Sequence, residues 1–282
     1  MYLAIDVGGT SINMGLFEKL DPKSKVAGVL LKVKNNFAAD MVQIKDAIDK
    51  LTTSKIESVG ICTPGLLTKD ETQIIIAENL SGWQKKDIPL ELKGLLGAKF
   101  AFLCHDVKAA AISECVFGGM DTDFAFIIWG TGIGCGYARY YNSKRIEFQQ
   151  VEIGYQVIAK TIKLDGEEFP GYLEYHCGGR KIEKRFGKPA AEISDKEWNI
   201  VLDDMSSGLR NLLQLNYPPT VIFGGGVILK QTKRLKQLQK LVAGKIRYER
   251  ESQFKIATFG EEAGLIGALG LIKLKLKNPA VR

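Results

Sequence analysis

The sequence predicts an α/β fold built twice, as two related lobes. Three observations carry that prediction. An apolar strand ending in a Gly-Thr turn occurs at Tyr2-Leu-Ala-Ile-Asp6-Val-Gly8-Gly9-Thr10 and again at Ala125-Phe-Ile-Ile-Trp129-Gly130-Thr131, about 120 residues on. A glycine stands five residues beyond each threonine, at Gly15 and Gly136. Helical and strand periodicities alternate along the rest of the chain, and 282 residues with 45% apolar content suffice for two cores.

The elements follow in order. The first strand turns at Gly8-Gly9 into a second, Ile12 to Phe17. Met41, Ile44, Ile48 and Leu51 recur at helical spacing. Strands are expected at Ser58 to Cys62 and Lys99 to Cys104, the latter leading into a helix after Asp106 that ends at Gly118-Gly119. The second copy repeats the hairpin, with its return strand at Gly134 to Tyr140. Val221-Ile-Phe223 is a strand entering Gly224-Gly225-Gly226, and Leu235, Leu238, Leu241 and Val242 mark the helix after it. No Pro/Ser-rich linker separates the copies, so a tight two-lobed body with a nucleotide cleft is expected. The expected division is 1–107 and 108–282, with the last helix packing back on the N-terminal lobe.

Composition excludes several classes. Five scattered cysteines, none in a CxxC pair, read as free thiols of a reducing compartment. The acidic Asp6 interrupts the N-terminal apolar run before a secretory signal could form. The uncharged stretch from Phe124 to Ala138 is short and broken by glycines, so no membrane span is expected and the protein reads as cytoplasmic. The net charge of +7 gathers late: Lys230 to Arg282 hold 13 basic against 4 acidic residues, and the remainder 26 against 28. Those lysines fall between helically spaced leucines, as on a solvated helix face. No helix-turn-helix, RNP or zinc-finger pattern accompanies them, which argues against nucleic acid.

Three glycine turns remain: Gly8-Gly9-Thr10, Gly130-Thr131-Gly132-Ile133-Gly134 and Gly224-Gly225-Gly226. Backbone without Cβ approaches phosphate closely and aims several N–H groups at it. Neither a Walker loop nor a GxGxxG after a strand is present. Each turn alone reads first as an ordinary tight hairpin. Together, with a threonine in the same place in two of them, they point to a nucleotide.

Two acids stand out. Asp6 ends a strand that should be apolar and faces the first glycine turn. Beside phosphate it needs a divalent cation, directly or through water; the structural alternative is an aspartate bonding its own turn amides. Asp106, in Cys104-His105-Asp106, precedes a helix. It reads either as the N-cap or as the carboxylate that takes a proton from a nucleophilic hydroxyl.

These motifs together resemble the ROK family of sugar kinases, within the actin-like ATPase (ribonuclease H-like) fold, over the whole chain. Asp6 to Gly15 is similar to the family's first phosphate motif, and Gly130 to Gly134 to its second. Thr63-Pro64-Gly65 and Asn79-Leu80-Ser81-Gly82-Trp83 resemble its sugar loops, Phe223-Gly-Gly-Gly-Val227 its adenosine loop, and Ala263-Gly-Leu-Ile-Gly-Ala268 its C-terminal helix. The resemblance implies an ATP- and Mg2+-dependent, glucokinase-like enzyme with Asp106 as general base and Asp6 on the metal side. It further implies that Pro64, Gly65, Asn79, His105, Glu152, Tyr155 and Glu174 line the sugar site, and that a homodimer forms. Read without it, Glu152 and Glu174 are equally solvated surface acids.

Three departures qualify the likeness. His105 replaces the family's asparagine, and Tyr155 the histidine of Glu-x-Gly-His. The stretch Asp165-Gly-Glu167-Glu168-Phe-Pro-Gly171-Tyr172-Leu-Glu174 lacks the cysteines of Cys-x-Cys-Gly-x-x-Gly-Cys-x-Glu. The four zinc-ligand positions are thus Tyr155, Asp165, Glu167 and Tyr172, not a soft tetrahedral set, and no structural zinc is expected. The family also contains sugar-responsive repressors with an N-terminal DNA-binding extension. With the first motif starting at Asp6, a kinase is the expectation. A catalytically silent sugar or nucleotide binder is the alternative, as is a kinase for an N-acetylhexosamine. The sequence leaves open which sugar is used and whether polyphosphate replaces ATP.

Overall fold

The computed structural model describes residues 1–142, 145–247 and 252–277. Two compact units emerge, Met1–Met120 with the segment from Glu262 onward, and Asp121–Glu261.

The first unit begins with β1 (Tyr2–Val7), β2 (Ser11–Phe17) and β3 (Lys25–Lys32), then α1 (Phe37–Leu51), β4 (Ser58–Thr63), the short hairpin β5 (Leu66–Leu67) and β6 (Ile74–Ile76), α2 (Ile88–Leu96), β7 (Phe100–His105) and α3 (Asp106–Val116). The second runs β8 (Phe124–Trp129), β9 (Ile133–Asn142), β10 (Arg145–Val151), β11 (Val157–Leu164), β12 (Glu167–Tyr172), α4 (Leu173–Cys177), α5 (Gly179–Phe186), α6 (Asp195–Asn216), β13 (Thr220–Gly224), α7 (Gly226–Leu229), α8 (Arg234–Lys245) and β14 (Gln253–Ile256). Finally α9 (Ala263–Lys277) returns to the first unit, packing on β1, β4 and α3.

The duplication is complete at the level of topology. The sheets are ordered β3-β2-β1-β4-β7 and β10-β9-β8-β13-β14, with the first three strands antiparallel and the last two parallel in each. β4 is buried at every residue, as a central parallel strand covered by helices must be. Helix α9 lies so close that a methyl group on Gly60 would meet the Ala268 carbonyl oxygen at 2.0 Å, and one on Gly267 the Ala109 carbonyl oxygen at 1.8 Å. That approach lets Leu265, Leu269, Leu271 and Ile272 reach full burial, each contributing about 1.5–3 kcal/mol.

The units divide at Met120/Asp121, not after residue 107. Helix α3, assigned by sequence to the C-terminal lobe, packs with β4, β7 and α9 of the first unit. Its Ala109, Ala110 and Ala111 are buried in that contact. The lysine-rich helix behaves as its periodicity predicts: Leu235, Leu238 and Val242 are buried while Lys236 and Lys240 stay exposed. Sequence periodicity did not locate β3, β10 or the β11–β12 hairpin, whose apolar residues are diluted by lysine, glutamine and glutamate.

Candidate active site

In the first unit the predicted residues gather at the carboxyl ends of β1, β4 and β7, where α/β sheets present ligand sites. Register pairs Asp6 with Cys62 and Thr63 with His105 across three adjacent parallel strands. The outer two of these lie about 10 Å apart by ordinary strand spacing. The turn after β1 is closed by a 2.8 Å bond from the Gly8 amide to the Ser11 carbonyl. Asn79 packs on it so tightly that a methyl group on Gly9 would lie 2.7 Å from the Asn79 Cβ. The Asn79–Trp83 loop is held from below, where the Trp83 indole N–H donates to buried Asp40 at 2.9 Å and the Gly82 amide to Asn35 Oδ1 at 2.9 Å. Gly65, at φ 100°, makes the turn after Pro64, which a side chain would block against the Ile76 carbonyl at 2.6 Å.

Asp6 does not bond its own turn amides. Its Oδ1 accepts from the Cys62 thiol at 3.3 Å, a weak donor. Burial pushes its carboxyl up to about 6, the Asp106 charge adding to this and the thiol bond opposing it. Such a poorly partnered, half-buried carboxylate suits a divalent cation, so the residues present fit Mg2+. The same burial drives the Cys62 thiol well above its ordinary value. Gly264 of α9 touches the carboxylate: a methyl group there would sit 2.5 Å from Asp6 Oδ2.

Asp106 is the first residue of α3, and His105, not Asp106, is the N-cap. The Val107 amide lies 2.6 Å from Asp106 Oδ1 but 3.3 Å from His105 Nδ1. His105 Nδ1 in turn lies 2.9 Å from Asp106 Oδ1. One ring nitrogen cannot both accept and donate. The shorter contacts are satisfied together when Nδ1–H and the Val107 amide both donate to Oδ1. Neither of these bonds then falls on Asp106 Oδ2.

In the second unit β8 and β13 are paired, setting Gly224 beside Ile128. Gly225, at φ 89°, lies against the Trp129 carbonyl, where a methyl group would clash at 2.6 Å. The Gly224–Gly226 run thus abuts the Gly130–Gly134 turn. Gly130 and Thr131 carbonyls accept from the Gly179 and Arg180 amides that open α5. Glu174 does more than the sequence implied: its Oε2 accepts the Ile133 amide at 2.8 Å. A methyl group on Gly132 would meet that same oxygen at 2.5 Å. The turn after Glu152 packs on the same cluster, Gly154 lying against the Ile133 carbonyl. Glu152 itself is exposed and bonded to Gln150, and the Tyr155 ring meets the Tyr172 ring edge-on.

The zinc positions do not fit that ion. Two are phenols in ring contact, and Asp165 and Glu167 are exposed, Asp165 pairing with Lys184 at 3.4 Å. Among the described residues no group of three or more His, Cys, Asp or Glu is arranged to hold a metal. No helix among them is long and apolar enough to cross a membrane.

Sequence reasoning missed Cys62, Gly264 and the Lys108–Glu71 ion pair. That pair, at 2.7 Å, ties the Thr68–Gln73 loop to α3 two residues beyond Asp106. The glycine spacing of Gly264 and Gly267 within an apolar helix was the available signal for the second of these.

Twin five-stranded sheets of one topology, each with a glycine turn after its leading strand, define an actin-like ATPase fold. The chain belongs to the ROK family, whose model matches residues 2–275. Its sequence relatives include sugar kinases. It is 26% identical to a glucokinase of Halalkalibacterium halodurans, over 96% of this chain and 94% of that protein. It is 23% identical to the N-acetylgalactosamine kinase AgaK of Shewanella sp., over 95% of each. A ROK family glucokinase from Streptomyces griseus, solved in complex with glucose and AMPPNP, shares the fold with a TM-score of 0.76 at 21% identity, covering 96% of this chain and 98% of that one.

Proposed function

We propose that this protein transfers the γ-phosphoryl group of Mg-ATP to a hydroxyl of a hexose, glucose being the first candidate. The observation that carries the reading is the state of Asp106: both donors fall on Oδ1, leaving Oδ2 to accept the proton of the attacking hydroxyl. His105 holds that carboxylate in orientation, and Pro64, Gly65 and Asn79 shape the sugar pocket of the first unit. In the second unit Glu152, Tyr155 and Glu174 offer acceptors to sugar hydroxyls. The amides of Gly8–Thr10 and of Gly130–Gly134 meet the phosphates, and Gly224–Gly226 lets the adenosine approach the backbone. Bound Mg2+ supplies charge neutralisation at the β- and γ-phosphates, and Asp6 holds it, directly or through water. Five free cysteines agree with a reducing compartment, so the reaction is assigned to the cytoplasm.

A second reading, an N-acetylhexosamine kinase, is favoured by the AgaK likeness and by His105 and Tyr155, which change two sugar-facing positions. One experiment tests both: ADP release with Mg-ATP across glucose, mannose, fructose, allose and the N-acetylhexosamines, with Asp106→Ala as control. Release that depends on sugar and disappears in the variant supports the kinase and names its substrate. No release with any of them sinks it in favour of a silent binder.

A further inference from the structure

We propose that a four-ring aromatic stack braces the sugar-side segment of the second unit without a metal ion. Its rings are Tyr155, Tyr172, Tyr175 and Phe169. Tyr155 meets Tyr172 edge-on at 5.8 Å between centroids, Tyr172 lies over Tyr175 at 5.9 Å, and Tyr175 over Phe169 at 5.2 Å. Lys181 closes the far end, its Nζ 4.2 Å from the Tyr175 centroid and 5.8 Å from that of Phe169.

These side chains come from four local structures. Tyr155 ends the one-turn helix Ile153–Tyr155, Phe169 and Tyr172 lie on β12, Tyr175 on α4, and Lys181 on α5. The backbone joins the same pieces more sparsely, through pairing of Val157 with Tyr172 and the 2.9 Å bond from the Leu173 amide to the Gln156 carbonyl. Offset and edge-to-face ring pairs hold such segments in fixed orientation, and an ammonium over a ring face adds to them.

The chemistry of the four positions that the resemblance equates with zinc ligands points the same way. Two of them, Tyr155 and Tyr172, are consumed by the stack. A phenol ionises near pH 10 and binds a soft-ligand ion poorly, and the remaining pair are exposed carboxylates. The brace has a target. Glu174 lies between Tyr172 and Tyr175 in sequence, and Glu152 three residues before Tyr155, so both acids are carried on segments that the rings fix. Tyr172, Tyr175 and Phe169 are therefore positioning residues; this last step rests on the sugar-kinase reading, the brace itself does not.

The metal analysis and melts use the full chain in Mg2+-free buffer, and turnover is measured with Mg-ATP. Elemental analysis should find no stoichiometric zinc, and 1,10-phenanthroline should leave Tm unchanged. Tyr172→Ala should lower Tm by about 3–6 °C while Tyr172→Phe, which keeps the ring, stays within about 1 °C. In turnover, Tyr172→Ala should raise the sugar KM about tenfold with kcat changed less than about threefold, and Tyr172→Phe should restore it. One equivalent of zinc whose removal lowers Tm overturns the proposal, as does a Tyr172→Ala protein that melts with the wild type. Should Tyr172→Ala fail to fold, Phe169→Leu decides by the same melt: a lower Tm supports the stack, an unchanged one rejects it. If no sugar is phosphorylated by the wild type, the kinase reading fails while the melts still judge the brace.

Discussion

Glu174 Oε2 accepts a 2.8 Å hydrogen bond from the Ile133 amide, so the acid proposed for the sugar also anchors the glycine turn proposed for phosphate. On the kinase reading, two substrates depend on one carboxylate. Glu174→Ala should raise KM for both ATP and sugar about tenfold, because the turn loses its charge-assisted anchor. Glu174→Gln keeps an acceptor oxygen and should leave the ATP KM within about twofold while still raising that for sugar. Equal effects of both variants on ATP would refute the anchoring role.

Asp106→Asn should reduce kcat by about 10²–10⁴-fold with the sugar Kd within a few-fold of wild type. His105→Ala removes a donor from Asp106 Oδ1 and should lower kcat less than the aspartate variant does. Calorimetric sugar titration beside steady-state rates separates these. Retained turnover in Asp106→Asn would remove it from the chemistry.

Asp6 gives a pH signature. Its carboxyl lies at about 6 in the folded protein and near 3.9 when unfolded. The native state therefore holds the extra proton through that interval. The Asp6 contribution to stability is greatest below about pH 4, falls as pH rises toward 6, and has lost about 2–3 kcal/mol above it. Urea titrations in Mg2+-free buffer should record this slope, and Asp6→Asn should remove it. Turnover runs the other way, since only the carboxylate holds the cation. The acid limb of kcat/KM should fall near pH 6 and move lower as Mg2+ is raised. A limb indifferent to Mg2+ would contradict the assignment.

Two glycines of α9 should respond differently to alanine. In an ordinary exposed helix the change stabilises by about 1 kcal/mol. At Gly264 the new methyl would stand 2.5 Å from Asp6 Oδ2. The expected result is a folded protein with a raised Mg2+ requirement. At Gly267 it would stand 1.8 Å from a backbone carbonyl oxygen that cannot swing aside. That variant should lose several kcal/mol and much soluble yield. Thermal melts with Mg2+ titrations distinguish the two.

Lys108 is buried and its partner Glu71 partly so, at 2.7 Å. Glu71→Ala leaves an unpaired buried ammonium and should cost about 2–4 kcal/mol; exposure of the partner keeps it below the figure for a fully buried pair. Replacing both, as Glu71→Leu with Lys108→Met, should recover most of it. Chemical denaturation of the singles and the double checks the coupling.

Much of the fold is legible in the amino-acid sequence itself. The two Gly-Thr hairpins announce the duplicated sheets because a tight turn at a strand end needs glycine, and glycine is visible in sequence. Asp6 is conspicuous as an acid in an apolar strand. What stays hidden depends on approach in space. The Cys62 partner of Asp6 lies 56 residues away and meets it only through strand register. Glu174 cannot be told from a surface acid until the hairpin β11–β12 brings it to Ile133. The N-cap falls one residue before the aspartate that the sequence favours, because histidine is an uncommon cap and aspartate a common one.

Helix α9 is the last described element, yet it covers a sheet whose strands precede it by the whole second unit. During synthesis, the first unit waits for the whole of Asp121–Glu261 to emerge before Gly60, Ala109 and their neighbours gain their cover. The intervening unit is continuous in sequence and able to fold while still tethered to the ribosome. The nascent chain thus carries an open apolar face while the whole second unit is made, which makes truncation before Glu262 a route to aggregation.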